Sequence, residues 1–284
     1  MSWLKSQQKR KKLTLTVVYV LLILISMVNL SPFFWMISTS FKQPDEIFLT
    51  IPKLLPRSFS FSNYVGIWND SYFSYYLKNS LIVALLNMLI GTLVSVFAGY
   101  GISRFNFKGR FLFSIVLIIV QIFPGMLLAI PLFTIMNKLR LIDTYWALLI
   151  AYSTFTLPFC TWMLKGYFDT IPVSLEEAAR IEGCGRLQIL FRIILPLALP
   201  GVVAVAMFAF VLAWQEYLFA LTLTRSEEMR TITVGIAMMQ GEHGRINWGQ
   251  IMAGSIIACL PGVIVFLLME KYLVQGFTMG AVKE

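Results

Sequence analysis

Residues 80–103 read SLIVALLNMLIGTLVSVFAGYGIS, an apolar run without one charged side chain. A helix of about 20 such residues crosses the hydrocarbon core of a bilayer. Outward from this run the same texture recurs at 13–37, 111–137, 144–164, 197–224 and 248–272, so the sequence predicts six transmembrane helices. The 284 residues are 58% hydrophobic and only 13% charged, too little polar surface to enclose a water-soluble core. An outer-membrane barrel would alternate apolar and polar residues in segments of about ten, whereas these runs are continuous. The fold class is all-α, a polytopic integral membrane protein.

The run at 13–37 follows a basic patch, as a secretory signal would. It is longer than the roughly 7 to 15 residues of a signal core and no small-residue cleavage site follows it, so it is expected to remain as the first helix. Basic residues set the expected orientation. Lys5, Lys9, Arg10, Lys11 and Lys12 precede the first run, Arg104, Lys108 and Arg110 join the second to the third, Lys165, Arg180, Arg186 and Arg192 follow the fourth, and Lys271 and Lys283 close the chain. These are more than half of the 23 Lys and Arg, which places both termini and the even loops in the cytoplasm. The expected organisation is a basic cytoplasmic N-terminus (1–12), a first helix (13–37), an external loop (38–79), a five-helix core (80–272) and a cytoplasmic tail (273–284). Within the core lie a cytoplasmic loop at 170–196 and an external loop at 225–247. Anionic lipid accounts for the net charge of +9, and no basic face with interleaved aromatics points to nucleic acid.

Catalytic chemistry lacks its parts. His243 is the one histidine, so neither a histidine metal cluster nor a Ser-His-Asp set can form. Cys160, Cys184 and Cys259 form no CxxC pair, and Cys160 and Cys259 read as small packing residues. No Gly-x4-Gly-Lys-[Ser/Thr] loop occurs, so the chain is expected to bind no cofactor or metal and no ATP of its own.

Small residues recur every fourth position at Gly91, Ser95 and Gly99 and again at Gly254, Ala258 and Gly262, stripes that let helices approach closely within the chain or between subunits. Pro124 and Pro131 in the third run and Pro261 in the sixth are expected to bend or open their helices. Asn87, Gln121, Gln215 and Glu216 are polar at membrane depth. An acidic group there is costly, so Gln121, Gln215 and Glu216 are candidates for a cavity or gate; Trp214 and Tyr217 beside them would equally suit an interfacial aromatic belt.

The loop at 170–196 interrupts this apolar chain with charge. Ser174 and Glu177 have the spacing of a capping box, which would start a short helix presenting Leu175, Ala178, Ala179 and Ile181 before Gly183 ends it. A second amphipathic turn follows through Leu187, Leu190, Phe191 and Ile194. Periodicity alone also allows a helix lying in the headgroups. Gly183 is expected to need a positive φ angle.

Glu177-Ala178-Ala179, then Gly183, then Ile193, Leu195 and Pro196, fix seven identities over twenty positions and resemble the EAA motif of binding-protein-dependent ABC importer permeases. AGYGISRFNFKGR (98–110), WQEYLFALTLT (214–224), NWGQIMAGS (247–255) and the terminal YLVQGFTMGAVKE are similar to segments of the carbohydrate-uptake group of that family. The resemblance implies a type I ABC importer transmembrane fold in the bacterial cytoplasmic membrane. It also implies a heterodimer with a companion permease subunit, two ABC ATPase subunits that use ATP and Mg, and an extracytoplasmic sugar-binding protein. The EAA loop would be the coupling helix held by an ATPase. The tail, with Gln275, Gly276 and Gly280, would reach between the ATPases, although two glycines argue against a continued helix there. The external loop, with Met239, Gln240, Gly241, Glu242 and His243, would reach toward the binding protein, against ordinary loop packing as the alternative. No sugar ligand is assigned, because the spans offer few aromatic faces with polar edges. A permease for peptides or polyamines is the alternative within the class. An ion-coupled secondary transporter would need ionisable residues at mid-membrane beyond Glu216.

Overall fold

The structure, a computed structural model, describes residues 2–49, 51–70, 72–239 and 246–281. Among these residues the chain is helical and has no strand. The elements are α1 (Ser2–Ser40), α2 (Pro44–Ile47), α3 (Ser62–Trp68), α4 (Phe73–Arg104), α5 (Arg110–Ile122), α6 (Ala129–Lys138) and α7 (Tyr145–Asp169). They continue with α8 (Ser174–Ile181), α9 (Arg186–Ile189), α10 (Leu195–Trp214), α11 (Leu218–Leu223), α12 (Ile232–Met238) and α13 (Trp248–Ala281). Five stretches are long and apolar enough to cross a bilayer: Lys11–Ser40, Phe73–Arg104, Tyr145–Asp169, Arg186–Trp214 and Trp248–Tyr272. Arg110–Ile122 with Gly125–Lys138, bent by 97° at the break, is an apolar pair that makes a sixth span if it crosses as one, and a re-entrant loop if it does not.

The break has a local cause. Phe123 precedes Pro124 and takes an extended ψ of 127°, because the pyrrolidine ring disfavours a helical residue before it. A short 3₁₀ turn over Gly125–Leu128 then restarts the chain. The expectation of one opened helix over 111–137 thus resolves into two half-helices. Pro131 falls in the first turn of α6, where its missing N–H would have no intrahelical partner. Pro261, expected to bend the sixth span, lies inside an uninterrupted α13.

The fifth span differs from the expected 197–224 at both ends. It begins at Arg186, inside the loop expected at 170–196, and stops at Trp214. It stops because Glu216 starts a new helix: its carboxylate oxygens accept from the N–H groups of Phe219 (2.8 Å) and Ala220 (2.9 Å) in the first turn of α11.

The chain divides into two compact units, 1–69 with 239–257 and 70–238 with 258–284. In the first, part of the region expected as an external loop (38–79) is helical, over α2 and α3; in the second, the second span already begins at Phe73. Buried Asn63 donates through Nδ2 to the carbonyls of Ser40 (2.9 Å) and Lys42 (2.8 Å). Gly249 lies so close to that amide that a Cβ there would come within 2.5 Å of it.

In the second unit α4, α7 and α10 pack around one another. The Gly91, Ser95, Gly99 stripe faces α7: a Cβ on Gly99 would lie 3.0 Å from the Lys165 nitrogen, and Thr161 bonds Ser95 at 3.2 Å. The Gly262 end of the other stripe meets nothing within 4 Å. Buried Asn87 ties the trio together, donating from Nδ2 to Thr156 Oγ1 (3.2 Å) and the Ala209 carbonyl (3.1 Å). Cys160 is buried in this core as expected, whereas Cys259 is exposed on α13 within this chain. Trp214 stacks on Phe210 and donates Nε1–H to the Ala258 carbonyl (3.1 Å), placing the indole against protein and not in a lipid belt.

Candidate functional site

The last turn of α4 carries Tyr100, Ser103 and Arg104, and all three reach across to the end of α7 or to the residues that follow it. Arg104 Nε meets Glu176 Oε1 at 2.5 Å, its Nη2 donates to the Ile171 carbonyl (2.9 Å), and Tyr100 donates to Glu176 Oε2 (2.9 Å). Ser103 donates to Asp169 at the end of α7 (2.6 Å). Glu176 is fully buried and the Arg104 side chain 6% exposed, so the pair is shielded from water and screening is weak. Arg180, one turn on in α8, stands 3.8 Å from the same carboxylate. The loop at 170–196 is thereby attached to the end of the second span.

The expected capping box is absent. Pro172 opens the turn early: Leu175 N–H bonds the Pro172 carbonyl, and Glu176 and Glu177 N–H both bond that of Val173. Val173 therefore takes the cap position, Ser174 is already helical, and neither side chain caps. Glu177 instead projects outward with Leu175, Ala178 and Ile181, the last 89% exposed. Ala179, expected on that open face, is buried beneath it. The Glu177 carboxylate has no hydrogen bond or ion pair among the described residues. Both glutamates sit in the first turn, where carboxylates complement the helix dipole.

Gly183 has φ +85°, as expected. It closes α8 with two bonds, Cys184 N–H to the Ala179 carbonyl and Gly183 N–H to that of Arg180, both 3.0 Å, the Schellman arrangement. Cys184 then packs with Ala179 in the lower core cluster. Gln188 Oε1 accepts from Gly185 N–H (2.9 Å), which starts α9.

Ile193, Leu195 and Pro196 lie where α9 becomes α10. Residues Leu190–Ile194 form a π turn, closed by Leu195 N–H on the Leu190 carbonyl. Pro196 explains the widening, since in an α-helix its ring would press on the carbonyl four residues back. The motif's second half is therefore a continuous helix into the fifth span, not a break at the Leu-Pro pair.

The remaining candidates do not converge. Exposed Gln121 donates to Leu117 of its own helix (2.9 Å), exposed Gln215 lies in the link after Trp214, and half-buried Glu216 caps α11. Met239 follows α12, while Gln240, Gly241, Glu242 and His243 lie outside the described residues. The tail is helical through Gln275, Gly276 and Gly280 to Ala281, against expectation; each glycine costs a helix about 1 kcal/mol, too little to stop propagation without a proline.

Of the loop expected at 225–247, residues 225–235 are pinned to the second unit. Asn79 donates to the carbonyls of Glu228 and Arg230, Ser80 accepts from Ile232 N–H (2.8 Å), and Gly235 packs where a Cβ would strike the Tyr76 ring. Asp143, at φ +65°, accepts from the N–H groups of Arg225 and Ser226. Burial pushes the Asp143 carboxyl up, but those donors and the Arg225 charge hold it below the usual carboxylate range.

Sequence reading missed Glu176, Arg104 and Tyr100. No local signal marked Glu176: it neighbours Glu177 in the same first turn, and its burial is decided by Arg104, 72 positions earlier.

Residues 91–279 match the family described as binding-protein-dependent transport system inner membrane component. The trehalose/maltose transport system permease protein MalG of Thermococcus litoralis is 43% identical over 92% of this chain and 94% of its own. The inner membrane ABC transporter permease protein YcjP of Escherichia coli is 40% identical over the same shares. Among solved structures, a bacterial ABC transporter involved in the import of the acidic polysaccharide alginate superposes with a TM-score of 0.80 at 24% identity, covering 91% of this chain and 95% of that one. Five to six apolar spans, a loop at 170–196 attached to the second and continuous with the Arg186–Trp214 span, and these likenesses agree: the chain belongs to the binding-protein-dependent transport system inner membrane component family.

Proposed function

We propose that this chain is the permease subunit of an ATP-driven importer for a sugar or oligosaccharide delivered by an extracytoplasmic binding protein. The observation that carries the mechanism is the two-faced loop: α8 turns Glu177, Ala178 and Ile181 outward while Glu176 fastens its inner face to Arg104. An ATPase subunit gripping the outer face would move the ends of α4 and α10 together, because one is ion-paired to the loop and the other is continuous with it. Relatives named for trehalose, maltose and sulfoquinovosyl glycerol transport support the substrate class. The basic residues at the loop end support a cytoplasmic position for it and for both termini. A companion permease subunit and two ATPases complete the unit. The chain itself is not an enzyme, and ATP and Mg belong to the ATPases.

The test is uptake of radiolabelled trehalose or maltose into liposomes containing the assembled complex with its binding protein. Uptake is expected to require ATP; uptake without ATP would overturn the reading. Since Glu177 caps nothing, Glu177→Ala and Glu177→Gln are expected to cut uptake alike, by about tenfold, the scale of a lost charge-assisted hydrogen bond. Wild-type rates in Glu177→Gln would remove the carboxylate from the ATPase contact.

A further inference from the structure

At the end of α1, within the first unit, Trp35, Thr39, Lys42, Glu46, Phe48 and Trp248 line a cavity of about 320 Å³. Two indoles and a phenyl ring supply apolar faces, and an ammonium, a carboxylate and a hydroxyl supply polar edges. The polar groups are built in. Lys42 is only 2% exposed, held by a bond from Nζ to the Lys53 carbonyl (2.6 Å) and by its position 4.3 Å from the centre of the Trp35 ring. Glu46, also buried, has Oε2 fixed by the Arg57 N–H (2.9 Å). Thr39 is 4% exposed, and its hydroxyl has no hydrogen-bond partner among the described residues. A buried hydroxyl without a partner is rare in folded proteins and calls for one.

Neutral saccharides fit this set. The C–H face of a pyranose packs on indole, and its hydroxyls both donate and accept, so one ring can serve Thr39, Lys42 and Glu46 together. Lys42 and Glu46 cancel in charge, which favours a neutral ligand over an anionic lipid headgroup. The volume is at the lower end for ligand pockets. We propose that this cavity binds a neutral mono- or disaccharide, in a site apart from the coupling loop. The assignment rests on the sugar-importer reading above; under the same orientation the site lies on the extracytoplasmic side, where cargo arrives.

The experiment uses the assembled complex in lipid nanodiscs, with a diazirine-bearing trehalose as probe and crosslinks mapped by mass spectrometry. Label is expected on segments 35–52 and 248–252, displaced by unlabelled trehalose and not by phosphatidylglycerol. Thr39→Val is expected to cut that label about fivefold, the worth of one neutral hydrogen bond, with an unchanged or higher melting temperature, since the hydroxyl makes no internal bond. Trp248→Leu should reduce it by about the same factor or more. Label confined to the companion subunit, label that trehalose cannot displace, displacement by the lipid, or equal label in Thr39→Val would each overturn the site. If trehalose and maltose uptake proceed while the cavity stays unlabelled, this inference fails and the proposed function stands. If neither sugar is taken up, the substrate class fails first.

Discussion

Glu176→Ala is expected to abolish uptake while all six spans still insert. The substitution leaves the Arg104 guanidinium, 6% exposed, without its carboxylate. Stranding one member of a buried pair costs about 3–5 kcal/mol, a large part of the roughly 5–15 kcal/mol by which folded domains are stable. The loss falls where α8 meets the end of α4, so the loop detaches there first, and trypsin should reach Arg180 and Arg186 more readily. Glu176→Gln keeps acceptors for Tyr100 and Arg104 and should be intermediate. Arg104→Met combined with Glu176→Met should regain thermal stability, because replacing both partners removes the stranded charge. If that double variant also transports, attachment alone matters; if it is stable and inactive, the ion pair itself transmits motion. A melting curve and an uptake rate equal to wild type in Glu176→Ala would show that this pair does not fasten the loop.

The second large effect is expected at Gly183. Its φ of +85° lies where L side chains strain, yet a Cβ there would meet nothing within 4 Å. Any loss on substitution must therefore come from the backbone and not from a clash. A left-handed residue costs about 1–2 kcal/mol with a side chain, most for a β-branched one and least for asparagine. Uptake should fall in the order Gly, Asn, Ala, Val, with Gly183→Val lower by about five- to thirtyfold. ATP hydrolysis should lose its response to the loaded binding protein in parallel. Equal uptake in Gly183→Val and Gly183→Asn would mean that the turn does not set the loop's geometry.

The spans were legible because lipid admits no substitute for an apolar run with its backbone bonds satisfied internally. Gly183 was legible for a related reason: few residues end a helix left-handed. Proline gave less, since Pro124 breaks a span while Pro261 does not, and only surrounding helices decide whether freed carbonyls are tolerated. The capping reading failed on one residue, Pro172, which moved the start of α8 and turned Ser174 from cap to first turn. Glu176 and Glu177 are neighbours of one type with opposite fates, one buried against Arg104 and one in the open. Local spacing does not distinguish them until the partner 72 positions earlier in the chain is in place. The folded region after α1 was hidden for the same reason, as Asn63 finds its acceptors more than twenty residues away.

The π turn at Leu190–Ile194 bears on rotational phase. An α-helix advances about 100° per residue, so one residue added or removed between the loop and the fifth span would ordinarily swing everything before it by that angle. The π turn carries one residue more than an α turn and Pro196 holds it there, so that extra residue is part of the phase. The direction in which Glu177 points is thus fixed by the residue count through this turn and along α10 together, and a deletion that closed it to an α turn would bring the ring of Pro196 onto the carbonyl four residues back.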